Sequence, residues 1–517
     1  MLAEATALLL ASLTVLTVAG PSGAPQGIRP AVSAVSTAAP AQAPSVTSAS
    51  AGANPAVAGP GASIPTAHEP RGTALLDSLV ARAAPPATVS ATVTGQNAEL
   101  SAAVGAAVDK AALRQSMRAV LADPPAPRSV SNWWSALDGG EQLRAALAAP
   151  ELVGNLDGVP YAVRDQANRT VLRETIRDLE LGLVGGTSRA LQTRDDGQLQ
   201  MLYSIADALG PAEANPHRQL ITLDVEGAGK ASIVLGDLMT ADYVSYLVPG
   251  MFISVGGNVV EWVDTAARIY DEQVSWLALL DDSSAPAPRD DAIAASAVGT
   301  TPAALAAAMR AADRLAPEEA VEDERPTVAT VAWIGYQTPH LLNVGSLDLA
   351  YEGRDAIAST LLGLDALRGA DQPHVSLLAH SYGTTASMLA LSETPARVDA
   401  LAMIGSPGSP AATVDDLKVT GAVFVGEAAW DPISNSSFFG ADPGESTFGA
   451  RVMSVAGSVD LITEKVLAGS TGHNEYFSPG TESMRNLALI GIGQAELVTD
   501  GTERDALRTL ALARPGA

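Results

Sequence analysis

The stretch His374-Val375-Ser376-Leu377-Leu378-Ala379-His380-Ser381-Tyr382-Gly383 constrains the fold of this chain more than any other. It reads as a buried strand that breaks at a serine and restarts as a helix. The pattern is that of a nucleophile elbow, G-x-S-x-G, here with Ala379 in the first small position. The residues flanking such a turn must be small, because helix and strand otherwise collide, and alanine meets that requirement. The turn holds Ser381 in a strained backbone with its hydroxyl above the sheet, beside a helix N-terminus. That placement suits a serine that attacks carbonyl carbon. The pattern alone recurs by chance, and a serine between strand and helix also serves as an ordinary helix cap, so the surrounding sequence has to decide.

From about His217 onward, eight short apolar runs follow one another: Leu220–Val225, Ser232–Leu235, Tyr243–Val248, Val328–Ile334, Val375–Ala379, Ala400–Ile404, Val419–Val425 and Arg451–Val455. Helical spacing separates the later ones, at Val259–Tyr270, Arg354–Leu367 and Thr384–Leu391. Doubly apolar strands alternating with helices predict an α/β fold with a mostly parallel eight-stranded sheet covered on both faces. The tight Gly227-Ala228-Gly229 connection predicts an antiparallel start.

Four further regions surround this core. Residues 1–20 are apolar from Ala5 to Gly20, but the first basic residue is Arg29. This is an imperfect export signal, an anchor, or a start placed too late; export is the favoured expectation, with a cytoplasmic protein as the alternative. Residues 21–70 are Ala, Pro, Ser, Gly and Thr with almost no charge, the composition of a linker, here one that could tether a catalytic body to a membrane. Residues 71–215 read as a helical region packing on the core, with an Ala-rich segment at Ala98–Ala122 and apolar helical spacing at Leu143–Ala148 and Val171–Leu183. The body is then 216–517, with an acidic, Pro-punctuated insertion at 281–325, read as a surface insertion or a cover over the site.

Composition narrows the partners. Of 517 residues, 31 are Lys or Arg and 57 Asp or Glu, a formal net charge of -26. Such a surface repels nucleic acid and anionic membranes. With no Cys there is no disulfide and no thiolate nucleophile. None of the six His stands in a paired ligand spacing, so neither a metal nor a cofactor is expected.

A serine needs a base, and the base needs an orienting group. In open α/β sheets reactive groups gather at the carboxyl ends of strands. His217 and His374 precede strands, His68 lies in the linker, and strand parity turns His380 to the other face. His340, after the fourth strand, stays a candidate, but His473, in Ser470-Thr471-Gly472-His473-Asn474 after the eighth, ranks above it. For the acid, Glu427 and Asp431 both follow the seventh strand; Asp431 is favoured because Pro432 fixes a turn that aims its carboxylate inward. The order Ser381, Asp431, His473 is the one expected of this architecture. The oxyanion donors would be the backbone N–H of Tyr382 and, from the loop Val248-Pro249-Gly250-Met251-Phe252, that of Met251.

With these residues in view the chain resembles the α/β-hydrolase superfamily, and within it an actinobacterial group known as a domain of unknown function. The resemblance runs from about Val130 to the C-terminus. Its carriers are Trp133-Trp134, Gly154-Asn155-Leu156-Asp157-Gly158-Val159-Pro160, Arg164-Asp165, Ala167-Asn168-Arg169 and Thr240-Ala241-Asp242-Tyr243-Val244. They continue with Val248-Pro249-Gly250-Met251, Ala332-Trp333-Ile334-Gly335-Tyr336, the elbow, Asp431-Pro432 and Gly472-His473. The resemblance implies an α/β-hydrolase fold and a Ser-His-Asp hydrolase mapped onto Ser381, His473 and Asp431. It implies no particular substrate. The chain departs from the group at Ala379 and at Gln337, where relatives often carry an acid.

The expected function is therefore a serine hydrolase of carboxylic esters acting through an acyl-enzyme on a small-molecule or lipid-like ester. A peptidase or acyltransferase would use the same parts, and a non-catalytic envelope or adaptor protein on a hydrolase body is the competing class. Composition leaves the oligomeric state open.

Overall fold

The computed structural model describes residues 71–83, 112–184, 189–284, 326–434 and 436–502. The apolar N-terminus, the linker, most of the acidic insertion and much of the Ala-rich segment lie outside these residues. Among the described residues no helix is long and apolar enough to cross a membrane.

The N-terminal elements are helices: α1 Arg71–Ala83, a helical run at 112–122, α2 Pro127–Ala136, α3 Gly139–Ala148, α4 Pro150–Val153, α5 Tyr161–Val184 and α6 Arg189–Leu209. The sheet follows, with β1 Arg218–Asp224, β2 Lys230–Leu235, β3 Tyr243–Val248, α7 Val255–Ser284, β4 Val328–Ile334 and α8 Asp348–Arg368. Then come β5 His374–His380, α9 Tyr382–Glu393, β6 Val398–Ile404, β7 Val419–Gly426 and β8 Arg451–Val452. A hairpin of β9 Ser458–Val459 and β10 Val466–Leu467 precedes α10 Glu482–Gly491. The main sheet has eight strands in the order β1-β2-β4-β3-β5-β6-β7-β8. β2 runs antiparallel to β1 and β4, and the pairs from β4 through β8 are parallel. This is the expected α/β-hydrolase fold, antiparallel start included.

Two apolar layers explain the strands' composition. Along β5, Val375, Leu377 and Ala379 pack with α8 and α9, whereas Leu378 faces the layer built by α6, α7 and α10. Along β6, Leu401 and Met403 take the first face and Ala400, Ala402 and Ile404 the second. All seven residues of β4 are buried. A strand covered on both faces has no polar side to show, hence the unbroken apolar runs. The helices run beyond their expected bounds: α7 starts before Val259 and continues past Tyr270, where Trp276 is still buried in the core.

The motifs between Gly154 and Arg169 do a specific job. β1 is an edge strand, so one side of its backbone lacks a partner strand. Asn155 accepts from the Leu223 N–H (2.8 Å) and donates to the Leu223 carbonyl (3.0 Å), as a paired strand residue would. Asp165 accepts from Leu220 N–H (2.6 Å), Asn168 donates to Leu220 O (3.0 Å) and Arg169 to Arg218 O (2.6 Å). Gln198 of α6 donates to Val225 O (2.7 Å). The irregularity between Leu220 and Thr222 explains why 218, 220, 223 and 225 all present their backbone outward despite the odd step. Side chains thus complete an edge that would otherwise invite pairing with another chain. Gly154 lies against this seal: a Cβ there would sit 2.1 Å from Asn168 Oδ1.

Trp133 and Trp134 anchor a separate cluster with Leu76, Leu79, Leu152 and Leu156, and the Trp133 indole donates to Asp77 (2.8 Å). Replacing Asn155 with Leu strands both backbone groups of Leu223. Unfolding in urea should show a loss of about 2 kcal/mol, the scale of an orphaned, partly buried backbone pair; an unchanged midpoint would contradict the seal.

Candidate active site

Ser381 follows β5 directly and takes the N-cap position of α9 with φ 54 and ψ -130, a positive φ that a residue with a side chain adopts only under constraint. The constraint is visible on both sides. Its N–H still donates to Ile404 O of β6 (2.9 Å), while its carbonyl already accepts from Thr384 N–H (2.9 Å) and the Thr384 hydroxyl (2.7 Å). The chain must reverse within one residue, which is feasible only because its neighbours are small. A Cβ on Gly383 would lie 2.5 Å from Pro249 O, and one on Gly250 would lie 2.5 Å from Ser381 Cβ. Ala379, in the first small position, is fully buried in the α8–α9 layer.

The structure brings Ser381, His473 and Asp431 together. His473 Nε2 is 2.8 Å from Ser381 Oγ, and its Nδ1 is 2.9 Å from each carboxylate oxygen of Asp431. Read as a donor–acceptor chain, Nδ1–H donates to Asp431 and the unprotonated Nε2 accepts from the serine hydroxyl. Asp431 lies just past β7 and is buried. Burial alone would raise its pKa, but hydrogen bonds from His473, Tyr476 Oη (2.7 Å) and Ile433 N–H (2.8 Å) hold it well below the usual carboxylate range. By linkage, a depressed folded pKa contributes stability above the unfolded value of roughly 3.9, and that stability is lost as pH falls through the folded value. Burial, then the Asp431 charge, drive the Tyr476 phenol far above its ordinary value, so Tyr476 remains a donor.

His340 stays in the loop after β4, where its Nδ1 accepts from Leu342 N–H (3.2 Å), and Glu427 lies against Gly444. The Ser381 hydroxyl pairs with His473, and the His473 Nδ1 pairs with Asp431. Met251 and Tyr382 line the same cleft as Ser381, and Tyr336 Oη donates to Pro249 O (2.7 Å), pinning the loop that carries Met251. The cleft, about 490 Å³ and open to solvent, is walled by Val344, Pro407, Ile433, Phe438 and Phe439. Phe439 stands edge-on to both Tyr382 (5.4 Å between centroids) and Phe438 (4.8 Å). An apolar wall beside a hydroxyl–imidazole–carboxylate chain can seat a hydrocarbon group next to a reacting carbonyl.

Three contributors escaped the sequence reading. Gly405, at the end of β6, has φ +59, and a Cβ there would lie 2.8 Å from Asp431 Oδ2 and 3.0 Å from His473 Nδ1. In sequence it is only a turn glycine. Tyr476 is a lone tyrosine until the 473–477 loop folds its hydroxyl onto Asp431. His380 does turn to the opposite face, as parity requires, among Tyr476 and Phe477. But the loop carrying His473 wraps over that face, so the expectation that His380 stands away from the site is corrected. Its Nε2 is 2.6 Å from the His473 carbonyl oxygen and its ring centroid 4.7 Å from that of His473. Burial, and next the adjacent His473, push the His380 imidazole down to about 3.

Residues 290–441 match the family model described as alpha/beta hydrolase, a span that includes Ser381 and Asp431 and ends before His473. Uncharacterized proteins from two strains of Mycobacterium tuberculosis are each 24% identical over 424 residues, covering 72% of this chain and 56% of their own length. The chain thus spans little more than half the length of these curated relatives. Among solved structures, an esterase of the archaeon Pyrobaculum calidifontis overlays with a TM-score of 0.30 at 13% identity, covering 63% of this chain and 98% of its own. Carboxyl esterase 2 of the fungus Tuber melanosporum gives 0.28 at 12% identity, covering 58% of this chain and 98% of its own. The family match over residues 290–441 and the strand order agree on an α/β-hydrolase fold.

Gly405→Ala forces a methyl group between Asp431 and His473. Its melting temperature is measured alongside, because the methyl group is also forced onto a positive φ. The variant should lose on the order of 100-fold in kcat on an activated ester, the scale of a misplaced catalytic group. Activity within twofold of the parent would show that the imidazole tolerates displacement.

Proposed function

We propose that the protein is a serine hydrolase that cleaves carboxylic esters bearing an apolar acyl group. The observation that carries this reading is the 2.8 Å approach of His473 Nε2 to Ser381 Oγ at the rim of an apolar cleft. Ser381 attacks the ester carbonyl while its proton passes to His473 Nε2. The new Oγ–C bond leaves a tetrahedral oxyanion facing the backbone N–H groups of Tyr382 and Met251. The C–O bond to the alcohol then breaks, and His473 returns the proton to the departing oxygen. Water, deprotonated by His473, attacks the acyl-enzyme. Collapse of that second intermediate releases the acid and restores Ser381. Asp431 holds the imidazole in the tautomer that leaves Nε2 free and stabilises the imidazolium formed in each step.

The electrostatics support this division of labour. Asp431 is charged throughout the neutral range and receives donors that are themselves uncharged, Tyr476 and two backbone N–H groups. Its charge is thereby available to the imidazolium without a competing cation. The apolar wall of Phe438, Phe439 and Val344 favours an acyl chain over a polar or charged one.

A fluorophosphonate probe should label the parent protein and leave Ser381→Ala unlabelled; equal labelling of both would overturn the reading. Asp431→Asn keeps the shape but favours the wrong tautomer. It should lower kcat on a short nitrophenyl ester by about 10⁴-fold, measured in steady state.

A further inference from the structure

Resting on the serine-hydrolase reading, we propose that His380 is a positioning residue: its Nε2–H clamps the backbone carbonyl of His473 and so sets where the catalytic imidazole stands relative to Ser381. His380 is the last residue of β5 and the immediate neighbour of the nucleophile, so both stand on the same strand end. Its ring lies buried between the sheet end and the loop at 470–477, with Tyr476 at 6.0 Å and Phe477 at 6.4 Å between centroids. A carbonyl oxygen only accepts, so the 2.6 Å contact requires the proton on Nε2 of His380.

The need for such a clamp follows from how His473 is carried. The loop from Ser470 to Tyr476 is held at its ends, by Ser470 N–H on Val455 O (2.8 Å) and the Ser483 hydroxyl on Tyr476 O (2.6 Å). Within the loop, Glu475 accepts from the Thr471 N–H (2.8 Å) and hydroxyl (2.7 Å), contacts internal to the loop itself. The imidazole is tied to Asp431 and Ser381, which both belong to the reaction. The His380 bond is the tie between the His473 backbone and the sheet. It refers the base to the same strand that carries the nucleophile, and fixes the two in one frame.

The neutrality of His380 fits this role. A protonated ring there would face the imidazolium that His473 becomes in each half-reaction. Burial keeps it uncharged, with the His473 and Asp431 charges acting on it and the Tyr476 ring beside it.

Three substitutions separate a clamp from mere packing. The amide nitrogen of Gln matches the reach of His Nε2; that of Asn stops at the Nδ1 position; Phe keeps the ring and lacks the donor. His380→Gln should retain kcat on a short nitrophenyl ester within about threefold. His380→Asn and His380→Phe should lose roughly 10- to 100-fold in kcat, with KM unchanged within twofold because His380 does not line the cleft. Melting temperatures and fluorophosphonate labelling rates are measured alongside. If all three variants keep parental kcat, or all three fall together, the clamp is wrong. If the parent itself is neither labelled at Ser381 nor active, the hydrolase reading fails first and the clamp loses its purpose.

Discussion

The reversal of the chain at Ser381 is the constraint around which the rest of the site is arranged. One residue must leave β5, point its hydroxyl upward and start α9. Three other backbones press in on it or on its partners: the loop after β3 at Gly250, the first turn of α9 at Gly383 and the end of β6 at Gly405. At each, a single methyl group would collide with a backbone oxygen, the serine or the His–Asp pair. The strain is held by the parallel sheet beneath, whose strands are buried on both faces and cannot relax sideways without opening an apolar layer.

What the sequence disclosed follows from that burial. Runs such as Val328–Ile334 and Ala400–Ile404 are apolar throughout because both faces are covered, so their positions and number could be read directly. Ser381, Asp431 and His473 could be ordered because catalytic groups collect past the carboxyl ends of strands. What could not be read depends on where a loop goes after it leaves the sheet. His380 was assigned to the correct face, yet nothing local says that the 473–477 loop returns over that face. Gly405 carries the mark of any turn, and its cost as alanine exists only once Asp431 and His473 meet beside it. Tyr476 and Asp431 are forty-five positions apart, and only the fold joins them.

The site also shows how a strongly acidic chain holds one buried carboxylate. Asp431 is fixed by a phenol and by backbone N–H groups instead of by Arg or Lys. Dipoles oriented in advance stabilise it without the desolvation penalty of a second buried ion. They leave the imidazole as the one partner able to change its charge near neutral pH. The same economy appears at Tyr336, where a neutral hydroxyl fixes the loop of Met251.

The side-chain seal on β1 bears on what counts as a separable piece of this protein. The helical stretch before residue 216 and the α/β stretch after it differ in texture, and a cut between them looks natural on paper. Yet Asn155, Asp165, Asn168, Arg169 and Gln198 act as a ninth strand made of amides, carboxylate and guanidinium. A sheet finished this way cannot grow, because side chains offer no continuing ladder to a newcomer. Without them the same row of backbone groups would be an open template, and the solitary body would be prone to stack with copies of itself.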